Sequence, residues 1–226
     1  MTFDQVVVKV FCATEERRSR FHDLRGNFAL KRPRDLADCA FALWTTFLRK
    51  AFGVRLRQPW ITRCSFRQIK KWLPPSATVF EWGSGMSTLW YERHACEVHA
   101  VDDNPQWCTY LRRKVKRASI YFEEGEDNYV GKIGEFPLEY FDLIVIDGSH
   151  RYSCLMAAWK HLKPCGILLI DNTDMECSKG IDEELSAQPH GAQVFRLPGW
   201  CPGNFFPTET TICISDKAAL RPVRDP

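Results

Sequence analysis

From about residue 59 the chain alternates short apolar runs with longer amphipathic ones. ATVFEW is followed by MSTLWYERHA, EVHAV by PQWCTYLRRKV, FDLIVID by RYSCLMAAWKHL, and GILLID by GIDEELSAQ. Between the second and third of these pairs, ASIYFEE leads into a polar connection. The apolar runs are nearly continuous and bounded by turn residues, which predicts parallel strands buried on both faces with helices between them. The rhythm breaks at the end, where AQVFRL and TTICIS flank a loop rich in Pro, Gly and aromatics. With no helix to carry a crossover, those two runs predict an antiparallel pair at one end of the sheet. The fold class is α/β.

Upstream, SFRQIKKWL predicts a short helix capped by Ser65 and stopped by Pro74-Pro75. The first 58 residues are less regular. VVVKVF fits a strand or a buried helical turn. LADCAFALWTTFLRKAF places Leu36, Ala40, Leu43, Trp44, Phe47 and Ala51 at helical spacing, flanked by Arg32, Arg34, Arg49 and Lys50. That stripe predicts packing against the core of the main domain, with an interfacial membrane helix or a homodimer contact as the other readings. Its uncharged span is too short to cross a bilayer. The expected division is a basic, mainly helical extension over residues 1–58 and a main domain over residues 59–226.

Composition narrows the class without naming a function. A chain of 226 residues, 45% hydrophobic and 26% charged, fits one globular domain with a sizeable core plus an extension. The net charge of +3 hides an asymmetry, because residues 1–60 hold 12 Lys/Arg against 6 Asp/Glu and the remainder 19 against 22. A solvated helical surface accounts for it, as would a nucleic acid, acidic lipid or anionic substrate. The ten cysteines run from Cys12 to Cys213 without a C-x-x-C pair. No basic start precedes an apolar segment at the N-terminus. The expectation is a cytoplasmic protein with reduced thiols and no zinc site.

Parallel sheets bind ligands at the carboxyl ends of their strands, which brings EWGSGMS, VDDNP, EEGED and IDGSH to one crevice. In EWGSGMS, Gly83 and Gly85 allow a sharp strand-to-helix turn and close approach to a ligand. A dinucleotide fingerprint would have a third glycine at position 88, where Thr88 stands. Glu81 would also be ill placed beside a pyrophosphate and suits a ligand carrying an amino group. Asp102 stands nineteen residues beyond Gly83, where a carboxylate can accept both hydroxyls of a ribose. A solvated carboxylate at Asp102 or Asp103 is the plain alternative. Glu126 or Asp127 could accept from an adenine amino group or be a turn residue.

In order and spacing, these motifs resemble the class I S-adenosylmethionine-dependent methyltransferases over residues 60 to about 216. The resemblance implies a Rossmann-like, doubly wound, mostly parallel seven-stranded sheet closed by a C-terminal antiparallel β-hairpin. It also implies that Glu81, Gly83 and Gly85 surround the methionine part of S-adenosylmethionine. Ser84, Ser87 and Asp147 join the cofactor contacts, with Asp102 on the ribose and Glu126 on the adenine. The basic extension becomes a candidate lid. LKPCG departs from the family at Cys165, where many members have glycine.

The fourth and fifth strands end in IDGSHRY and IDN, which brings Asp147, His150, Asp171 and Asn172 to one rim. Methyl transfer to a hydroxyl needs alignment and removal of a proton, and histidine is the one side-chain type in this group whose unperturbed pKa lies near neutrality. His150 is therefore the candidate general base, against a structural role bonding a loop carbonyl. Asp147, Asp171 and Asn172 also resemble the ligands of metal-dependent catechol-type O-methyltransferases, for which Mg²⁺ would be the ion. That family has lysine where His150 stands. His150 and the D-G-x-H/D-N pattern resemble instead a bacterial branch in which metal dependence varies, so the metal stays open. Trp200, Phe205 and Phe206 in LPGWCPGNFFPTETT are candidates for an aromatic acceptor wall, or for a packed surface loop. The leading expectation is O-methylation of a small molecule, a sugar or secondary metabolite. Nitrogen methylation is the alternative within the class. Base methylation lacks its [DNS]-P-P-[YF] signature, although the basic arm keeps RNA open. A noncatalytic cofactor-binding scaffold and an NAD-dependent oxidoreductase are the readings from other classes.

Overall fold

In a computed structural model of the protein, residues 19–187 and 192–215 are described. VVVKVF and Cys12 lie outside them. One sheet contains β1 (Thr78–Trp82), β2 (Glu97–Asp102), β3 (Ser119–Phe122), β4 (Phe141–Ile146), β5 (Leu162–Asp171), β6 (Gln193–Trp200) and β7 (Pro207–Ile214). Their spatial order is β3-β2-β1-β4-β5-β7-β6. Pairing is parallel from β3 through β5, while β7 lies antiparallel to both β5 and β6. Only β7 therefore runs against the others.

The continuous apolar strands are explained by burial on both faces. Along β4, Ile144 and Ile146 join one cluster with Phe80 and Trp82, whereas Leu143 and Val145 join the other with Val79. The first face is covered by α6 (Arg151–Ala158) and α7 (Ile181–Ser186), through Leu155, Ile181 and Leu185. The second is covered by α2 (Arg63–Trp72) and α3 (Met86–His94), through Ile69, Trp90 and Tyr91. A third cluster seats α4 (Pro105–Arg112) beside β2 and β3, through Cys108, Leu111, Ala100 and Ile120.

Three local expectations need correction. The polar connection after β3 contains α5 (Glu126–Gly131) and a 3₁₀ turn, Lys132–Glu135. Tyr129 and Ile133 anchor it in the core, but two apolar positions in a polar run leave no period to read. Helix α2 is preceded by Thr62 rather than capped by Ser65. Ser65 lies inside the helix and shares a 2.7 Å hydrogen bond with the Thr62 hydroxyl, which in turn donates to the Leu197 carbonyl at 3.0 Å.

The third correction concerns α1 (Pro33–Phe52), which is helical as its period predicts but buries a different face. Asp38, Ala42, Thr45 and Thr46 face the domain, and the apolar stripe with Leu36, Leu43, Trp44 and Phe47 faces solvent. Polar locks set this orientation. Asp38 accepts a bidentate pair from Arg67 at 2.8 and 2.9 Å, and the Thr45 hydroxyl accepts from the Gly203 amide at 2.9 Å. Ahead of α1, Arg25 pairs with Asp182 at 2.6 Å and donates to the Thr173 carbonyl at 2.9 Å, tying the extension to the far end of β5. Among the described residues, no helix is long and apolar enough to cross a membrane.

Candidate active site

The chain leaves β1 toward α3 on one face of the sheet and leaves β4 toward α6 on the other. Diverging connections at adjacent strands open a crevice at their carboxyl ends. It has a volume of about 240 Å³ and is lined by segment 83–87, Asp102, Trp107, Asp147 and Gly148, with Arg55 and Trp60 at its side.

Gly83 sits where the two connections nearly touch. Its φ is +94°, and a Cβ there would lie 2.6 Å from the Asp147 carbonyl and 2.7 Å from the Gly148 amide. Both conformation and space require glycine. Gly85 is extended at φ −172°, and an added Cβ would find only the Ser87 hydroxyl, at 3.5 Å. Glycine is thus required as expected at Gly83, while nothing in the protein itself demands it at Gly85.

Thr88, which replaces the third glycine of a dinucleotide loop, has its own task. Its hydroxyl accepts from the Gly85 amide at 2.8 Å and donates to Glu81 at 2.5 Å. Ser87 donates to the other Glu81 oxygen. Glu81 is fully buried, and burial pushes its carboxyl up to about 8, against the opposing effect of those two hydroxyls. Glu81 does not line the crevice; it fixes Ser87 and Thr88, and through them the loop that does.

Asp102 ends β2 with both oxygens engaged, one by the Ser84 hydroxyl at 3.0 Å and one by the Asn104 amide at 3.0 Å. Each carboxylate oxygen has a second lone pair, so further donors can still be accepted. Burial raises its pKa. Trp107, one turn into α4, donates from its indole to the Ser84 carbonyl at 2.6 Å, and Arg55 lies 5.4 Å above its ring. Trp107, Trp60 and Arg55 are absent from the site expected on sequence. An aromatic two residues beyond the VDDNP turn is a usable signal for the first; nothing in the pattern marks the other two.

At the opposite lip, Asp147, Asp171 and Asn172 do converge, but on Arg151 rather than His150. Arg151 is buried, and its guanidinium lies 3.4 Å from both Asp147 Oδ1 and Asn172 Oδ1. It also donates to the backbone carbonyls of Asp171 and Gly148. The Thr210 hydroxyl donates to Asp171 at 2.5 Å. Burial raises both aspartates, the charge of Asp147 raises Asp171 further, and Arg151 opposes these effects. Asp147 reaches the crevice, whereas Asp171 is buried behind it.

His150 points elsewhere. It takes a left-handed backbone at φ 52°, and its Nδ1 lies 3.3 Å from Glu126 Oε2, with Tyr129 beside the ring. Glu126 also accepts from the Ser153 hydroxyl at 2.5 Å. Neither His150 nor Glu126 lines the crevice. This separates His150 from the three rim residues expected beside it. The three rim oxygens also do not fit a divalent ion in this arrangement, because a guanidinium already stands among them. Among the described residues, no group of three or more His, Cys, Asp or Glu could hold a metal.

The aromatic loop is packed rather than open. Trp200 is fully buried, with ring centroids 6.0 Å from Phe21 and 5.5 Å from Phe205. Phe205 also packs on Phe21, and Phe206 is half-buried. None of the three lines the crevice. The loop reaches it only through Trp60, whose ring would lie 2.9 Å from a Cβ on Gly203.

A family model described as "Methyltransferase domain" matches residues 80–173, which include every segment that converges on the crevice except Arg55 and Trp60. The crevice region is thus similar to a methyltransferase domain. Solved structures share its fold at low identity. A methyltransferase from Geobacter sulfurreducens is 10% identical, with 83% of this chain and 90% of that one covered at a TM-score of 0.53. A candidate caffeoyl-CoA O-methyltransferase from Staphylococcus aureus is 16% identical, with 76% and 92% covered at 0.54. A methyltransferase candidate from Streptococcus mutans, in complex with S-adenosylhomocysteine, is 14% identical, with 67% and 96% covered at 0.52. No curated protein sequence is significantly similar to the chain.

The crevice fits S-adenosylmethionine on chemical grounds. Gly83 permits close backbone approach, Asp102 offers acceptors for a diol, and Trp107 offers a flat apolar wall. The NAD-dependent reading loses its basis, because a pyrophosphate loop has no use for the Glu81–Thr88 bridge.

Proposed function

We propose that the protein is an S-adenosylmethionine-dependent methyltransferase acting on a hydroxyl oxygen of a small molecule, and that Asp147 receives the proton. One observation carries the reading: Asp147 is the ionisable rim group that opens into the same crevice as the cofactor loop. Bound S-adenosylmethionine supplies the activated methyl group. In this reading Asp102 accepts from its ribose hydroxyls, segment 83–87 frames its aminoacyl part, and Trp107 covers the adenosine side. Arg55, which follows α1 and stands over Trp107, supports a covering role for the extension.

The acceptor hydroxyl donates to Asp147, whose raised pKa makes it a stronger base than an ordinary carboxylate. Burial keeps that pKa up, and Arg151 keeps it from rising so far that the base stays protonated. As the oxygen–carbon bond forms and the methyl–sulfur bond breaks to leave S-adenosylhomocysteine, the hydroxyl proton passes to the Asp147 carboxylate. His150, the base expected from sequence, is assigned instead to holding Glu126 and the turn into α6. A nitrogen acceptor is the alternative, since Asp147 could equally take a proton from an ammonium group.

The test is release of S-adenosylhomocysteine across a panel of hydroxyl and amine acceptors, with and without EDTA. Asp147→Asn should lower turnover by about 10²-fold or more while cofactor affinity, measured by calorimetry, changes little. His150→Ala should retain most of the activity, and EDTA should have no effect. Turnover confined to amines would replace the oxygen reading. Activity that survives Asp147→Asn but is lost in His150→Ala would return the base to His150.

A further inference from the structure

The apolar face of α1 is complete and has no partner among the described residues. Leu36 and Trp44 are 61% and 58% exposed, and Leu43 and Phe47 are about half exposed. Ala40 and Ala51 continue the stripe, and Phe52 extends it at the C-terminal end. The aromatics are mutually arranged: Trp44 stacks on Phe47 at 5.8 Å, and Phe52 meets Phe47 edge-on at 5.8 Å. Over twenty residues this makes a ridge about 30 Å long. It cannot turn inward without breaking the Asp38–Arg67 pair and the Thr45–Gly203 bond described above.

The charges around the ridge say what covers it. Lys31, Arg32 and Arg34 are exposed at one end, and Lys50, Arg55 and Arg57 at the other. The two acids within that span offset only part of this charge: Asp35 accepts from the Lys31 and Arg32 backbone amides, and Asp38 is buried against Arg67. Two copies packed ridge to ridge would oppose cationic ends whether the helices ran parallel or antiparallel. An RNA would meet the cations but leave the Leu, Trp and Phe ridge in water. A bilayer with anionic headgroups answers both features, since an amphipathic helix with basic flanks lies in the interface with its apolar side among the acyl chains.

We infer that α1 docks the enzyme on an anionic lipid bilayer. Trp44 and Phe47 enter the acyl boundary, and the flanking lysines and arginines lie at headgroup level. The chain runs directly from α1 into Arg55 and Trp60, so docking brings the side of the crevice to the membrane surface. The inference stands apart from the acceptor assignment above, because lipid binding is measured without turnover.

Flotation of the full chain with phosphatidylglycerol-rich vesicles, and with pure phosphatidylcholine vesicles, tests it. The expected result is binding to the anionic vesicles, weaker at high salt, with partition lowered about tenfold or more by Leu43→Glu and again by Phe47→Glu. Lipids brominated in their chains should quench tryptophan emission, and Trp44→Phe should remove most of that quenching. The soluble fold of each variant is checked by its thermal transition. Absence of binding to anionic vesicles would overturn the inference. So would binding that Leu43→Glu leaves unchanged, or a dimer in sedimentation that the same substitution dissociates. Destabilisation of the monomer by Leu43→Glu without vesicle binding would overturn it too, pointing to cover by the chain's own first 18 residues.

Discussion

Replacing Glu81 with Gln should make the protein more stable at alkaline pH while costing little at acid pH. Glu81 is fully buried, and burial carries its carboxyl from 4.5 to about 8. Between these two values the folded chain holds a proton that the unfolded chain has released. Stability therefore falls as pH rises through that window, by about 1.4 kcal/mol per unit, and levels off above about 8. From about pH 5.5 to about pH 8.5 the loss assigned to this one group is on the order of 3 kcal/mol. Gln is nearly isosteric and does not titrate. Its carbonyl can accept from Thr88, and its amide can donate to Ser87 once that hydroxyl rotates.

Asp147 and Asp171 titrate in both proteins, so the informative quantity is the difference between them. Denaturant unfolding at several pH values should give a gap that widens in favour of Glu81→Gln by about 3 kcal/mol across the window. Parallel stability profiles would refute the reasoning, because Glu81 would then ionise in the folded protein as freely as in the unfolded one. A gap that widens toward acid pH would mean that the two hydroxyls outweigh burial and hold the carboxylate charged.

Three further substitutions test separate parts of the structure. Gly83→Ala places a Cβ against the Asp147 carbonyl at a φ of +94°, and should cost about 2–4 kcal/mol in denaturation together with cofactor binding by calorimetry. Cys165→Gly relieves a left-handed φ of 63° at an exposed position, and should raise stability by about 0.5–1 kcal/mol in the same assay. Arg151→Met removes the charge that lowers Asp147 and Asp171. Both acids then stay protonated to higher pH, and the acid limb of the turnover profile should move upward by about one pH unit or more.

The sheet is legible in the sequence because its strands are buried on both faces, and continuous apolar runs such as FDLIVI leave few other readings. The closing hairpin is legible for a related reason: no helix-length segment separates its two strands. Cys165 is legible as a departure from the family, and its left-handed backbone gives that departure a physical meaning. Helix α1 shows where such reading stops. Periodicity identifies a helix and its stripe, but the buried face is chosen by pairs distant in sequence, Asp38 with Arg67 and Thr45 with Gly203. The spacing of apolar residues within one helix carries no information about those partners.

The rim shows the same limit at the scale of one residue. IDGSHRY offers a histidine and an arginine side by side, and chemistry alone favours the histidine as base. His150, however, takes the left-handed conformation at the start of α6, which turns its ring toward Glu126 and leaves Arg151 facing Asp147 and Asn172. Which neighbour turns inward depends on a single backbone torsion, and no spacing rule reports it. The consequence reaches the chemistry. A guanidinium among the three oxygens displaces the metal reading and leaves Asp147 as the ionisable rim group open to the crevice. The same carboxylates thus become a tuned base rather than a coordination sphere.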